Sequence, residues 1–157
     1  LINLYNGQSR LITQDEIKFY ITDSEASAIR SIDFKSSKLV KTIIGKGLFE
    51  FGDFDHSYPQ ARLQYPMGIT YNNGKLYVAD SLNNKIKLID HYEKTSTTLA
   101  GTGTLGKTNG KLNEASFFEP CGVAAFKNKI YVADTNNHLI RVIDLETQTV
   151  TNFEIQE

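Results

Sequence analysis

Apolar residues in this chain come in short runs that alternate with polar ones and are broken by Gly, Asn, Asp and Lys. The segment from 66 to 101 shows the pattern best. Alternating stretches run through Gly68 to Tyr71, Lys75 to Ala79, Lys85 to Ile89 and Thr97 to Ala100. Runs of that length with a period of two predict four strands. Asn72-Asn73-Gly74 between the first two predicts a tight hairpin, because Asn and Gly tolerate the positive φ that such turns require. Asp80 to Asn84 is turn chemistry, since short Asp and Asn side chains bond the backbone two residues on. No window of a dozen residues carries apolar positions at helical spacing, while Ile, Val and Thr together supply 35 residues. The chain is expected to be all-β.

The pattern also repeats on a longer scale. Asp23, then Ile29-Arg30, then Ile32-Asp33 has the same spacing as Asp80, Ile86-Lys87, Ile89-Asp90 and as Asp134, Ile140-Arg141, Ile143-Asp144. The leading Asp recurs at intervals of 57 and 54 residues. Ahead of it, Ala61-x-Leu63-x-x-Pro66-x-Gly68 matches Ala115-x-Phe117-x-x-Pro120-x-Gly122. A repeated unit of four antiparallel strands is the blade of a β-propeller. We therefore expect a β-propeller of four-stranded antiparallel blades, three of them present, over 9–48, 66–101 and 120–155. Rings close with about four to eight blades, so three leave an open flank at each end. Exposed edges and apolar flanks favour self-association.

Pro-x-Gly-Ile at 66 to 69, Leu-Tyr-Val-Ala-Asp at 76 to 80 and Asp-Thr-Asn-Asn-His-Leu-Ile-Arg-Val-Ile-Asp at 134 to 144 resemble the NHL-repeat propellers over most of the chain. Phe51-Gly52-Asp53-Phe54-Asp55, Ala61 to Pro66 and Asp144-Leu145-Glu146-Thr147 resemble one branch, in which a thioredoxin-like domain precedes a six-bladed NHL propeller. The resemblance implies that this chain is about half a propeller. Two departures stand out: Ser9-Arg10-Leu11 takes the place of Pro-x-Gly in the first copy, and His56 follows Asp55 where Gly would suit a turn. The chain has no Cys-x-x-Cys, so redox activity implied by that branch would belong to residues outside it.

Seventeen Lys and Arg against 18 Asp and Glu give a net charge of −1, which excludes a polyanion-binding surface spread over the whole molecule. No apolar run reaches the roughly 20 residues of a spanning helix, so no membrane partner is expected. A single Cys121 and the absence of any Asn-x-Ser/Thr acceptor fit a cytoplasmic home. The chain starts at Leu1 without an initiator Met or a charged-then-apolar leader, and it is expected to be a piece of something longer.

Several motifs suggest chemistry. Gly101-Thr102-Gly103-Thr104-Leu105-Gly106-Lys107-Thr108 matches the phosphate-cradling P-loop spacing, but Asn109, Gly110 and Asn113 fall where its helix should start and Pro120 would cut it short. It is better explained as an inter-blade link, as is Gly45-Lys46-Gly47 in the previous unit. His56, His91 and His138 are expected on different faces, as solvated loop residues and not as a metal site. Cys121 is expected to be a small buried hydrophobe. The recurring Asp80 and Asp134 are expected to cap their turns. Lys85, Lys87, Lys129 and Arg141 are expected on solvated strand faces, since interleaved acids and the lack of an aromatic cluster argue against nucleic acid.

No catalytic, metal or cofactor residue is assigned, and no cofactor is expected. The leading expectation is a non-enzymatic module that binds a protein partner through its loop face. That face carries Asp80, Asn83, Asn84, Lys107, Asp134, Asn136, Asn137 and His138, beside the long links at 45 to 65 and 101 to 119. The alternative is part of a metal-dependent, lactonase- or lyase-like propeller enzyme whose other ligands lie outside this chain.

Overall fold

A computed structural model describes residues 9–14, 17–33 and 39–154. The described residues form three antiparallel sheets. The first contains β1 (Ser9–Gln14), β2 (Lys18–Asp23), β3 (Ala28–Asp33) and β4 (Val40–Ile44), in that order. The second holds β5 (His56–Ser57), β6 (Pro66–Asn72), β7 (Lys75–Asp80), β8 (Lys85–Asp90) and β9 (Thr95–Ala100), in the order β5-β9-β8-β7-β6. In the third, β10 (Gly110–Lys111), β11 (Pro120–Phe126), β12 (Lys129–Asp134), β13 (Leu139–Asp144) and β14 (Thr149–Asn152) repeat it as β10-β14-β13-β12-β11. β6 lies between β1 and β11, so the leading strand of each sheet is the inner one. The first copy thus forms its inner strand without Pro-x-Gly. The four strands read in the middle copy are those observed, and Asn73 and Gly74 close their hairpin at φ of 48° and 79°.

Strand alternation sends one set of side chains to each neighbouring sheet. Tyr20, Ile29, Ile43 and Ile44 of the first sheet meet Ile69, Leu76, Val78 and Ile89 of the second. Tyr77, Ala79, Ile86 and Ala100 on its other side meet Ile130, Val132, Ile143 and Val150 of the third. Ala61 and Leu63 join the first core and Ala115 and Phe117 the second, all fully buried. The repeated Ala-x-Leu/Phe motif is therefore the anchor of each link. Full burial of one such Leu or Phe contributes about 1.5–3 kcal/mol.

The expected four-stranded blades are observed, with one addition. In the second and third sheets the incoming link supplies a fifth, two-residue strand on the outer edge. No helix of the described residues is long and apolar enough to cross a membrane.

The inner strands approach closely at Gly68. A Cβ there would lie 2.5 Å from the Cys121 carbonyl oxygen and 2.9 Å from the Val123 nitrogen, both backbone atoms. Overpacking against backbone costs about 1–3 kcal/mol. Gly68→Ala is expected to lower urea-unfolding stability by that amount. Gly122→Ala, whose Cβ would meet only Ala133 Cβ at 3.4 Å, should change it little. Equal losses in the two variants would contradict the close approach.

Candidate interaction surface

Each long link leaves the turn face, descends the outer edge of the next blade and returns. Tyr58 N–H donates to the Lys94 carbonyl at the far hairpin (2.8 Å), and Gln64 N–H then donates to Asp80 Oδ1 back at the turn face (2.7 Å). The second link repeats the path, with Leu112 N–H on the Gln148 carbonyl (3.3 Å) and Phe118 N–H on Asp134 Oδ1 (2.8 Å). The links are thus not confined to one face, and His56 sits on an outer edge rather than on the turn face.

The base in the Asp-x₅-Ile-base repeat holds the link down. Lys87 is fully buried, with Nζ 2.6 Å from Asp53 Oδ1, 2.7 Å from Asp55 Oδ1 and 3.0 Å from Thr98 Oγ1. Burial works against its ammonium, but the two carboxylates outweigh that and hold its pKa above the ordinary lysine value. Desolvation likewise raises Asp53 and Asp55. The lysines, with Thr98 at Asp55, outweigh it and keep both carboxyls below their usual range. Arg141, also fully buried, donates to the Ser116 and Thr108 carbonyls (2.9 and 2.8 Å), to Asn109 Oδ1 (2.7 Å) and to Asp134 Oδ2 (2.9 Å). The expectation of solvated strand faces is therefore wrong for Lys87 and Arg141, because a cation that satisfies acceptors on a passing link is drawn inside.

The geometry places five of the eight residues expected to face a partner in contacts within the chain. Asp80 and Asp134 are fully buried and do not cap their own turns. Each joins the end of its second strand to the returning link. Asn83 donates to Asp80 Oδ2 and the Gly52 carbonyl, and Asn137 to Asp134 Oδ2 and the Gly106 carbonyl. Asn84 Oδ1 accepts from Glu119 N–H at 2.9 Å. The side chains of these five residues are spent on the scaffold. Lys107, Asn136 and His138 remain exposed on the turn face, with Asn136 bonded to Glu119 Oε2 at 2.9 Å.

The P-loop-like stretch is occupied by its own fold. The amides of Gly101, Thr102, Thr104, Gly106 and Thr108 donate to Leu112, Ala115, Thr102, Phe117 and Ser116, and β10 follows where a helix would start. His91 is buried, 5% exposed, with its ring 5.0 Å from Tyr20 and 4.1 Å from Tyr92, and so is not a solvated loop residue. Cys121 is half-buried, its thiol donating to the Glu119 carbonyl at 3.4 Å. Among the described residues no group of three His, Cys, Asp or Glu side chains is placed to hold a metal ion.

One surface feature went unread in the sequence. Phe49, Phe51 and Phe54 on the first link are 90%, 58% and 52% exposed, and the Phe54 ring stacks on His56 at 5.5 Å. The signal was the strict alternation in Asp53-Phe54-Asp55-His56, where the acids turn inward to Lys85 and Lys87. Glu50 is engaged by Arg62 (3.0 Å) and Lys46 (3.3 Å).

Comparison with known proteins agrees with this architecture. The NHL repeat family model matches residues 119–143. NHL repeat-containing protein 2 of Bos taurus is 44% identical over 146 residues, which cover 87% of this chain and 20% of that protein. The chain thus spans about a fifth of that relative's length. Among solved structures, a Bacteroides thetaiotaomicron protein of unknown function superposes with a TM-score of 0.72 at 20% identity, covering 80% of this chain and 32% of the other. Virginiamycin B lyase of Staphylococcus aureus does so with 0.60 at 18% identity, covering 95% and 42%, and at such identities the likeness concerns the fold alone. The repeated Asp-x₅-Ile-base blades and the similarity across most of the sequence make this chain a member of the NHL-repeat family of β-propellers.

Proposed function

We propose that this chain is a non-enzymatic interaction scaffold that binds a protein partner in the cytosol through its turn face and first link. The observation that carries the reading is the exposed Phe49, Phe51 and Phe54 on a link pinned by ion pairs to the buried Lys87. Aromatic side chains held on a rigid support contribute binding area at little ordering cost. The acids beside them are already paired within the chain, so a partner covers the rings without stripping water from unpaired charge. Lys107 and Asn136 extend the surface along the turn face. The enzyme alternative has no supporting arrangement among the described side chains.

Quantitative cross-linking in native extract tests the proposal. Replacing Phe49, Phe51 and Phe54 together by Ser should weaken capture of the partner at least tenfold, on the scale of an interface hot spot of about 2 kcal/mol. Lys107→Glu should weaken it less. Lys75→Glu, on the opposite hairpins, should leave capture intact. Loss with Lys75→Glu and none with the triple variant would assign the function to the other face.

A further inference from the structure

We infer that the outer groove between the second and third blades is a docking site for an aromatic side chain, presented by an extended segment of a protein partner. The groove measures about 700 Å³, and Leu99, Gly101, Thr102, Leu112, Thr147 and Gln148 are among the residues that line it. Ligand pockets span about 300–1,000 Å³. Leu99 and Leu112, both packed on the second core, give it an apolar floor.

The junction between the first and second blades shows what such a groove takes. Thr42 pairs with Arg30 as Thr98 pairs with Lys87, and Tyr58 N–H meets the Lys94 carbonyl as Leu112 N–H meets that of Gln148. Thr42, Tyr58 and Lys94 are therefore the counterparts of Thr98, Leu112 and Gln148. Lys94 Nζ lies 5.1 Å from the centre of the Tyr58 ring and donates to the Thr42 carbonyl at 3.5 Å, tying the second blade to the first. The third blade has neither part. Leu112 carries no ring, and Gln148 Nε2 turns back to the Leu145 carbonyl at 2.6 Å. An aromatic ring beneath a cation closes the first junction, and the second is open at the same place.

The chemistry of the lining selects the occupant. Among the described residues no carboxylate lines the groove, so a Lys or Arg side chain finds no countercharge there. Lys111, exposed at the rim, offers an ammonium like the one that Lys94 holds over Tyr58, and a ring face attracts such a cation. Thr98 N–H donates to Asp55 Oδ2 on the outer edge at 2.7 Å, and a residue in an antiparallel strand turns its carbonyl to the same side as its N–H. The Thr98 carbonyl thus faces the outer edge, where Gln148, turned back on its own hairpin, brings no donor. A peptide N–H fits that acceptor while the ring fills the groove beside it, the division of labour usual when an extended segment docks on a strand edge.

Backbone NMR of the full chain, titrated with the capped peptide acetyl-Gly-Tyr-Gly-amide, provides the test. The expected result is a set of saturable shifts centred on the amides of Leu99, Thr102, Leu112 and Gln148, with a dissociation constant in the millimolar range. Acetyl-Gly-Leu-Gly-amide and free tyrosine should bind at least tenfold more weakly, the first for want of a ring and the second for want of a peptide N–H. Leu112→Tyr with Gln148→Lys, which rebuilds the filling of the first junction, should weaken the Tyr peptide at least tenfold. Thr102→Trp, at an exposed position on the rim, should do the same with an unchanged far-UV circular dichroism spectrum, so the test stands even if the double variant folds poorly. Lys75→Glu, on the opposite hairpins, should have no effect. Shifts that are absent, or confined to Phe49 to Phe54, would overturn the inference. Equal binding of the Leu peptide or of free tyrosine, or an affinity unchanged by Thr102→Trp, would overturn it as well.

Discussion

Arg141→Met is expected to cost about 3–5 kcal/mol in urea unfolding, the range found when one partner of a buried ion pair is removed. The change strips Asp134 of its cation where the carboxylate is fully buried, and it frees the carbonyls of Thr108 and Ser116 together with Asn109 Oδ1. The damage should concentrate in the link at 101 to 119, so limited proteolysis should cut there first. Arg141→Lys should fall between the two proteins. One ammonium can replace the bond to Asp134, but it cannot span acceptors served by two separate guanidinium nitrogens. Lys87 works in the second blade because Asp53 and Asp55 converge on a single point. A loss below about 1 kcal/mol for Arg141→Met would show that the latch is dispensable.

The repeat itself shows how much the sequence reveals and where it stops. Strand order and the hairpins follow from alternation and turn residues, which act over a few positions, and the middle copy was legible strand by strand. The base after Ile was equally visible at 30, 87 and 141, but its role was not. Alternation places a side chain on a face without saying whether solvent or a returning link covers it. His91 was misread for the same reason, since its burial depends on Tyr20 and Tyr71 from other strands. Asn83, Asn84 and Asn137 read as polar loop residues, yet carbonyls, carboxylates and an amide of the links and turns engage them. What remained for recognition, Phe49 to Phe54, lay in a segment without periodicity beyond four residues.

The difference in stability between Asp80→Asn and the unaltered chain is expected to grow by about 2–4 kcal/mol from pH 5 to pH 8, in favour of the variant. In the third blade the corresponding carboxylate is paired with Arg141, and in the first Asp23 lies 3.0 Å from Arg30. In the second, Lys87 is drawn away by Asp53 and Asp55, leaving Asp80 with only Asn83 Nδ2 and Gln64 N–H, each at 2.7 Å. Burial therefore dominates and pushes its pKa up to about 7. A folded carboxyl that keeps its proton longer than the unfolded one stabilises the fold fully below the unfolded value near 3.9. That stability is lost as pH rises through 7. A carboxamide in place of this carboxyl does not ionise, so Asp80→Asn escapes the loss, while the pairs made by Asp53, Asp55 and Asp90, whose pKa values are lowered, affect both proteins alike. Urea midpoints at several pH values read the difference directly. Parallel curves for the two proteins would mean that Asp80 finds a cation after all, and that the second blade balances its charge as the other two do.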